Sequence, residues 1–156
     1  MKTETLEIEA AIQIQKPINE VFDAIINPDK MSNYFISEST GKMESGKTLI
    51  WKFPEFDVEC PIRIDKIQQN KYISYYWTIS EKELLVEITL IEKENNSTLV
   101  SITEKSMKND NDGLKWFSGN TFGWSNFLAC LKAYLEYNIN LRKGAFDFMR
   151  KENQCS

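Results

Sequence analysis

The chain has 156 residues, of which 42% are hydrophobic and 27% are charged, and its formal net charge is −4. This length and composition predict one globular domain that spans residues 1–156 and needs neither a disulfide nor a metal to fold. A negative chain without a basic cluster is a poor candidate for nucleic-acid binding, because phosphate recognition depends on a basic surface. We interpret the adjacent basic pairs, Arg142-Lys143 and Arg150-Lys151, as solvated charge.

Histidine is absent, which removes the commonest general base and the commonest metal ligand together. We therefore expect no metal, no cofactor and no His-dependent catalysis, and a non-catalytic role is favoured. Cys60, Cys130 and Cys155 form no CxxC pair, and the first two are predicted to be buried thiols in a reducing compartment. Without a signal peptide or about 18 consecutive apolar residues, the chain is predicted to be cytoplasmic with no membrane span.

The N-terminal part predicts one strand and two short helices. Apolar and polar side chains alternate from residue 6 to residue 15, which indicates a half-buried strand. Pro17 suits the first position of a helix, and apolar residues follow it at helical spacing as Ile18, Val21, Phe22, Ile25 and Ile26. Asn27-Pro28 ends this helix and begins a second one through Met31 and Tyr34.

The middle of the chain predicts strands separated by turns. Alternating patterns cover residues 48–53, 56–65, 72–79, 84–90 and 100–104. Pro61 lies within the second of these, which suggests an edge position or a bulge at that point. On the same strand Asp57, Glu59 and Asp65 are predicted to face outward, so no pair of catalytic carboxylates is expected there.

The C-terminal part predicts the longest helix. Residues 107–119 are mostly polar and are predicted to be a connection, after which Asn120 can cap the helix start. Its apolar residues recur at helical spacing and form a broad stripe that must be covered: Trp124, Phe127, Leu128, Leu131, Tyr134 and Leu135. The fold class predicted is α+β, with a curved antiparallel sheet of about six to seven strands around a long C-terminal helix.

Four segments in this order resemble the START-like superfamily of helix-grip domains, and within it the homologues of the heat-shock-protein-90 ATPase activator. They are residues 17–25, residues 28–35, the strand end Tyr75-Tyr76-Trp77, and the stretch from Gly123 to Glu136. The resemblance implies a sheet wrapped around the long helix, often with an elongated apolar cavity between them. Members include lipid and polyketide binders, polyketide cyclases and the chaperone activator, so the resemblance specifies the fold more closely than the function.

Aromatic residues make up 12% of the chain, and many are predicted to face the long helix. They form either a packed core or a pocket lined for an apolar, aromatic or lipid-like ligand, with hydroxyl groups on Tyr75 and Tyr134. An empty cavity of about 300 Å3 would cost about 7 kcal/mol, so the pocket is predicted to be modest or else occupied. The candidate ligand-binding residues are Met31, Tyr34, Trp51, Phe53, Tyr75, Trp77, Glu104, Trp124, Phe127, Leu128, Leu131 and Tyr134.

Glu104 is the one carboxylate that the alternation places on an inward face. It either reaches solvent at the rim of the sheet or is buried, in which case it is a candidate for proton transfer. The function predicted first is binding of a small hydrophobic ligand. The alternatives are a protein-interaction domain, with a chaperone or a second copy as partner, and a polyketide-cyclase-like enzyme.

Overall fold

The computed structural model describes residues 4–150, which form a curved seven-stranded antiparallel sheet with a long helix packed on its inner face. The strands are β1 (Thr5–Ile14), β2 (Glu38–Ser39), β3 (Thr48–Phe53), β4 (Phe56–Gln68), β5 (Tyr72–Ile79), β6 (Lys82–Lys93) and β7 (Ser97–Lys108). The helices are α1 (Ile18–Ile26), α2 (Pro28–Met31) and α3 (Asn111–Tyr137), with a 3-10 turn at Asp147–Met149. The predicted α+β class is confirmed. None of the helices in this range is long and apolar enough to cross a membrane.

The sheet is ordered β1-β7-β6-β5-β4-β3-β2, so the first strand pairs with the last one. Ile8 lies opposite Glu104, and Ile12 lies opposite Val100. Helix α3 packs mainly against β1 and β7, while α1 and α2 follow β1 and contact each other. This arrangement places the inward side chains of β3 to β7 beneath α3, where the long helix covers them.

Pro61 lies in an internal strand, but β4 is paired on one side only at that position. It faces Ile50 of β3, and the pairing of β4 with β5 begins at Arg63. Proline has no backbone N–H to donate, so it fits a position whose second neighbour is missing. The prediction of a local edge position is therefore confirmed, although β4 as a whole is not an edge strand.

Helix α3 begins ten residues earlier than the sequence pattern suggested, with its cap at Asp110 instead of Asn120. The side chain of Asp110 caps the first turn by accepting a hydrogen bond of 2.8 Å from the backbone N–H of Gly113. The predicted polar connection is reduced to two residues because Trp116 and Asn120 are buried at the helical spacing of Trp124. The prediction that Asn120 caps the helix is wrong.

Three glycines in α3 give opposite predictions for substitution by alanine. A Cβ at Gly113 would lie 1.8 Å from the carbonyl oxygen of Lys108, whereas nothing lies within 4 Å of a Cβ at Gly119 or Gly123. We expect Gly113→Ala to lower the free energy of unfolding by about 1–3 kcal/mol, since the start of the helix must shift. Gly119→Ala and Gly123→Ala should each raise it by about 0.5–1 kcal/mol.

Urea denaturation followed by circular dichroism measures all three variants on one scale. Gly119→Ala and Gly123→Ala serve as matched controls for Gly113→Ala, because the three positions share one helix. A stabilising Gly113→Ala would show that the turn before α3 differs from the one described.

Candidate functional site

The predicted ligand-binding residues come together between α3 and the inner face of the sheet, and we call this space the seam. It is lined by Met31, Tyr34, Trp51, Phe53, Tyr75, Trp77, Glu104, Trp124, Phe127, Leu128, Leu131 and Tyr134. All of these side chains are buried except Tyr134, which is partly buried against the same cluster. Burial agrees with a packed core and with a lined pocket alike, so their role in ligand binding stays a prediction.

The aromatic rings of the seam form a continuous chain of contacts. Trp51 meets Tyr75 edge to face with ring centroids 5.4 Å apart, and Tyr75 meets Trp77 in the same way at 5.6 Å. Such edge-to-face pairs favour fixed relative orientations. The chain continues from the sheet to the helix, because the rings of Trp77 and Trp124 are 5.6 Å apart and tilted by 35° to each other. The seam therefore presents a wall of aromatic rings that spans β3, β5 and α3.

Phe35 lies at the centre of a second set of ring contacts and was missed as a site residue. Its ring lies 4.7 Å from that of Phe127, 5.2 Å from that of Phe53 and 5.6 Å from that of Trp51. The sequence offered a signal, because Phe35 follows Tyr34 directly. Both lie in the turn after α2, which ends at Met31 and does not continue through Tyr34 as predicted. Tyr34 itself is fixed, since its hydroxyl donates a hydrogen bond of 2.8 Å to the carbonyl oxygen of Ala24.

Glu104 is fully buried in the seam, and its carboxylate accepts hydrogen bonds from three side chains. Trp124 Nε1 donates to Oε1 at 2.8 Å, and Trp77 Nε1 donates to Oε2 at 2.9 Å. Asn120 Nδ2 donates to both oxygens, at 3.0 and 3.3 Å. Of the two positions considered for Glu104, the buried one is correct. Two of the three donors, Asn120 and Trp124, lie on α3, and the sequence pattern had assigned only Trp124 to the inward stripe of this helix.

Three other buried polar atoms have no hydrogen-bond partner within residues 4–150. They are Trp51 Nε1, the hydroxyl of Tyr75 and Trp116 Nε1. Buried polar groups in folded proteins are nearly always hydrogen-bonded, so each such atom calls for an explanation. Burial raises the pKa of Tyr75 well above its usual value, and the negative charge of Glu104 raises it further. The hydroxyl of Tyr75 therefore keeps its proton and is available as a donor.

One end of the seam is covered by the segment that follows α3. Its Arg142 guanidinium lies over the rings of Phe35, Phe53 and Phe146, at 5.7, 5.8 and 5.0 Å from their centroids. Arg142 also forms an ion pair of 2.6 Å with Glu55, whose side chain is 2% exposed. The interpretation of Arg142 as solvated charge is wrong, because a buried carboxylate in the β3–β4 turn draws it inward.

Outside the seam, Asp57, Glu59 and Asp65 are exposed on the outer face of β4, as predicted. Two shallow hollows, of about 210 and 400 Å3, lie at the edge formed by β2, β3 and β4, where Lys52 and Glu59 contribute to both. Neither hollow is lined by the seam residues, apart from Phe53 at the rim of the larger one.

Two of the cysteines lie within residues 4–150, and both are buried. Cys130 is a free thiol whose pKa is raised by burial. Cys60 is disulfide-bonded, so the prediction of a free thiol is wrong at that position.

The chain matches one family model, described as Activator of Hsp90 ATPase homolog 1-like protein, over residues 15–136. This range begins at the end of β1 and includes Glu104, Asn120 and every aromatic residue of the seam. Among curated proteins, none matches the chain significantly.

Several solved structures share the fold. The protein SSP2350 from Staphylococcus saprophyticus is 30% identical to this chain and superposes with a TM-score of 0.75; the match covers 86% of this chain and 94% of SSP2350. The Aha1 dimer from Colwellia psychrerythraea is 19% identical, with coverages of 85% and 97% and a TM-score of 0.74. DynU16, from the dynemicin biosynthetic locus, is 19% identical with a TM-score of 0.75; the match covers 86% of this chain and 48% of DynU16.

Proposed function

The chain belongs to the family of Activator of Hsp90 ATPase homolog 1-like proteins, and on this premise we propose that it binds a small hydrophobic or aromatic ligand in the seam. The observation that carries the proposal is that Trp51 Nε1 and the Tyr75 hydroxyl are unpartnered in a wall of aromatic rings. A seam that served only as a core would pair these groups with protein acceptors. Small-molecule sites typically combine an apolar lining with a few placed polar groups.

The position of the segment after α3 supports an entry route at the Phe35 end of the seam. Because the seam rings are in contact with one another, a ligand enters only when side chains move apart. The cover at this end is held by side-chain contacts: the ion pair of Arg142 with Glu55, the guanidinium over the rings, and a hydrogen bond from Arg150 to the backbone of Pro54. It can open without breaking the pairing of any strand. A relative of the same fold comes from a biosynthetic locus for a small molecule, dynemicin, which agrees with a ligand-binding role.

Intrinsic fluorescence offers a direct test, because all four tryptophans, Trp51, Trp77, Trp116 and Trp124, are buried on the seam side of the sheet and helix. We expect a hydrophobic aromatic probe such as anthracene to quench this emission saturably and to raise the melting temperature. Native mass spectrometry of the freshly purified protein would then show whether a small molecule accompanies it.

The matched control is Lys52→Ala, which alters both outer hollows and leaves the seam unchanged. Quenching should be the same in this variant as in the wild-type protein if the probe occupies the seam. The proposal is wrong if anthracene, anthraquinone, palmitate and methyl palmitate all fail to change either the fluorescence or the melting temperature.

A second candidate function is protein interaction, with a chaperone or with a second copy of the chain. The observation that favours it is a group of exposed apolar side chains in α3 and the segment after it: Phe122, Tyr137, Ile139, Leu141 and Phe148. A structural relative is described as a dimer, and the family takes its name from a chaperone activator. Analytical ultracentrifugation, with Tyr137→Ser and Leu141→Ser as variants, separates this function from ligand binding.

An enzymatic role of the polyketide-cyclase kind has less support. Glu104 is the carboxylate of the seam, and both of its oxygens already accept hydrogen bonds from Trp77, Asn120 and Trp124. A general base must reach the proton that it removes. Glu104 reaches a substrate only if one of these three donors is displaced.

A further inference from the structure

The two side chains of the sheet that carry unpartnered donors pack against each other in the seam. The rings of Trp51 and Tyr75 are 5.4 Å apart and meet edge to face, and both side chains are about 1% exposed. Trp51 Nε1 and the Tyr75 hydroxyl have no partner among the described residues. The indole N–H can only donate a hydrogen bond, so only an acceptor atom satisfies it.

The charge beside these donors restricts the kind of acceptor. Tyr75, Val86 and Glu104 lie in one row across β5, β6 and β7, which places the Tyr75 and Glu104 backbones about 10 Å apart. The buried charged or polar side chains of residues 4–150 include Glu55 and Glu104 but no lysine or arginine. The guanidinium of Arg142, which lies over Phe35 and Phe53, is already paired with Glu55. An anionic ligand would therefore meet the carboxylate of Glu104 without a buried, unpaired cation among the described residues to balance its own charge.

A cationic ligand is favoured by the charge of Glu104 but does not fit the donors. Both oxygens of Glu104 are already occupied by N–H groups of Trp77, Asn120 and Trp124. An ammonium group is itself only a donor, and it leaves Trp51 Nε1 without an acceptor. The remaining class of ligand is a neutral molecule with an exposed oxygen acceptor.

We propose, on the basis of the function proposed above, that the seam selects neutral ligands with a carbonyl or ether oxygen, which accepts hydrogen bonds from Tyr75 and Trp51. Quinones, aromatic ketones and esters belong to this class, whereas free carboxylic acids at neutral pH and amines do not. The aromatic wall supplies affinity for the apolar body of the ligand, and the two donors determine the specificity for its functional group.

Four probes that share a three-ring scaffold test this selectivity. They are anthraquinone, which has neutral acceptors, anthracene, which has none, anthracene-9-carboxylate, which is anionic, and 9-(aminomethyl)anthracene, which is cationic at neutral pH. We expect anthraquinone to bind most tightly when binding is measured by tryptophan quenching. In Tyr75→Phe and Trp51→Phe, anthraquinone should bind about 3- to 10-fold more weakly. The affinity for anthracene should not change in Tyr75→Phe, which keeps its ring in the aromatic wall.

Tyr75→Phe gives a second readout without any ligand. Since it removes a buried donor that lacks a partner and keeps the ring, the free variant should melt at the wild-type temperature or roughly 2–4 °C above it. If the Tyr75 hydroxyl has only a structural role, Tyr75→Phe should instead lower the melting temperature. Lys52→Ala serves as the control that should leave the order of the four probes unchanged.

The possible outcomes distinguish this inference from the function on which it rests. If all four probes bind equally, the seam is a hydrophobic site and the proposed selectivity is wrong. If anthracene-9-carboxylate or the amine binds best, the assignment of ligand class is wrong. If Tyr75→Phe lowers the melting temperature and leaves anthraquinone binding unchanged, the donors hold buried water only and the inference fails. If none of the four probes binds, the inference fails, and if palmitate and methyl palmitate fail as well, the proposed function fails with it.

Discussion

Replacing Glu104 with glutamine is expected to lower the free energy of unfolding by about 2–4 kcal/mol. The carboxylate accepts hydrogen bonds from Trp77, Asn120 and Trp124, and the amide of glutamine can accept on one side only. Whichever way the amide is turned, its NH2 group faces a buried indole N–H, which then has no acceptor. The remaining hydrogen bonds also lose the contribution of the negative charge. Urea denaturation at neutral pH, followed by calorimetry, measures the loss.

Glu59→Gln is the matched control, because Glu59 is exposed on the outer face of β4. It should change the free energy of unfolding by less than about 0.5 kcal/mol. If Glu104→Gln is as stable as the wild-type protein, the free energy gained by removing a buried charge equals the free energy lost with the hydrogen bonds. That result would contradict the description of Glu104 as a buried carboxylate that its three hydrogen-bond donors stabilise.

Replacing Arg142 with methionine is expected to lower the free energy of unfolding by about 3 kcal/mol, because it leaves Glu55 buried without its cation. The two side chains are 11% and 2% exposed and their ion pair is 2.6 Å long. The loss should be largest in the segment that carries the arginine. Hydrogen exchange should show faster exchange in residues 138–149 and in the β3–β4 turn, with little change in β5, β6 and β7.

The double variant Glu55→Leu/Arg142→Met is the critical comparison. Exchanging a buried ion pair for apolar side chains of similar size is often close to neutral, so the double variant should lie within about 1 kcal/mol of the wild-type protein. Lys143→Met, at an exposed neighbouring position, should have no measurable effect. Equal losses in Arg142→Met and in the double variant would show that the packing of the guanidinium on Phe35 and Phe53, not the charge of Glu55, is what matters.

The sequence predicted the sheet and most of the seam because both depend on local alternation. A strand that is wet on one face must place every second residue inward, so Trp51, Tyr75 and Trp77 could be assigned to one face. The inward position of Glu104 followed from the same parity with Val100 and Ile102. What parity could not supply was the depth of burial, because this depends on where α3 lies.

The errors arose where a distant residue decides the local structure. Residues 111–119 carry two glycines and few apolar residues, which is typical of a loop, yet the cap at Asp110 and the burial of Trp116 and Asn120 extend the helix through them. Arg142 was assigned to solvent as part of one of two adjacent basic pairs, whereas its partner Glu55 is 87 positions away. Neither partner has a sequence signal of its own, so only the three-dimensional structure brings them together.

The pairing of β1 with β7 has a consequence for how the protein is made. Synthesis proceeds from the N-terminus, so β1 leaves the ribosome first and must wait until residues 98–108 have emerged before its partners exist. Helix α3, which covers the aromatic face, is completed later still. Until then the nascent chain exposes the rings of β3 and β5 to solvent, and premature association with other chains competes with folding.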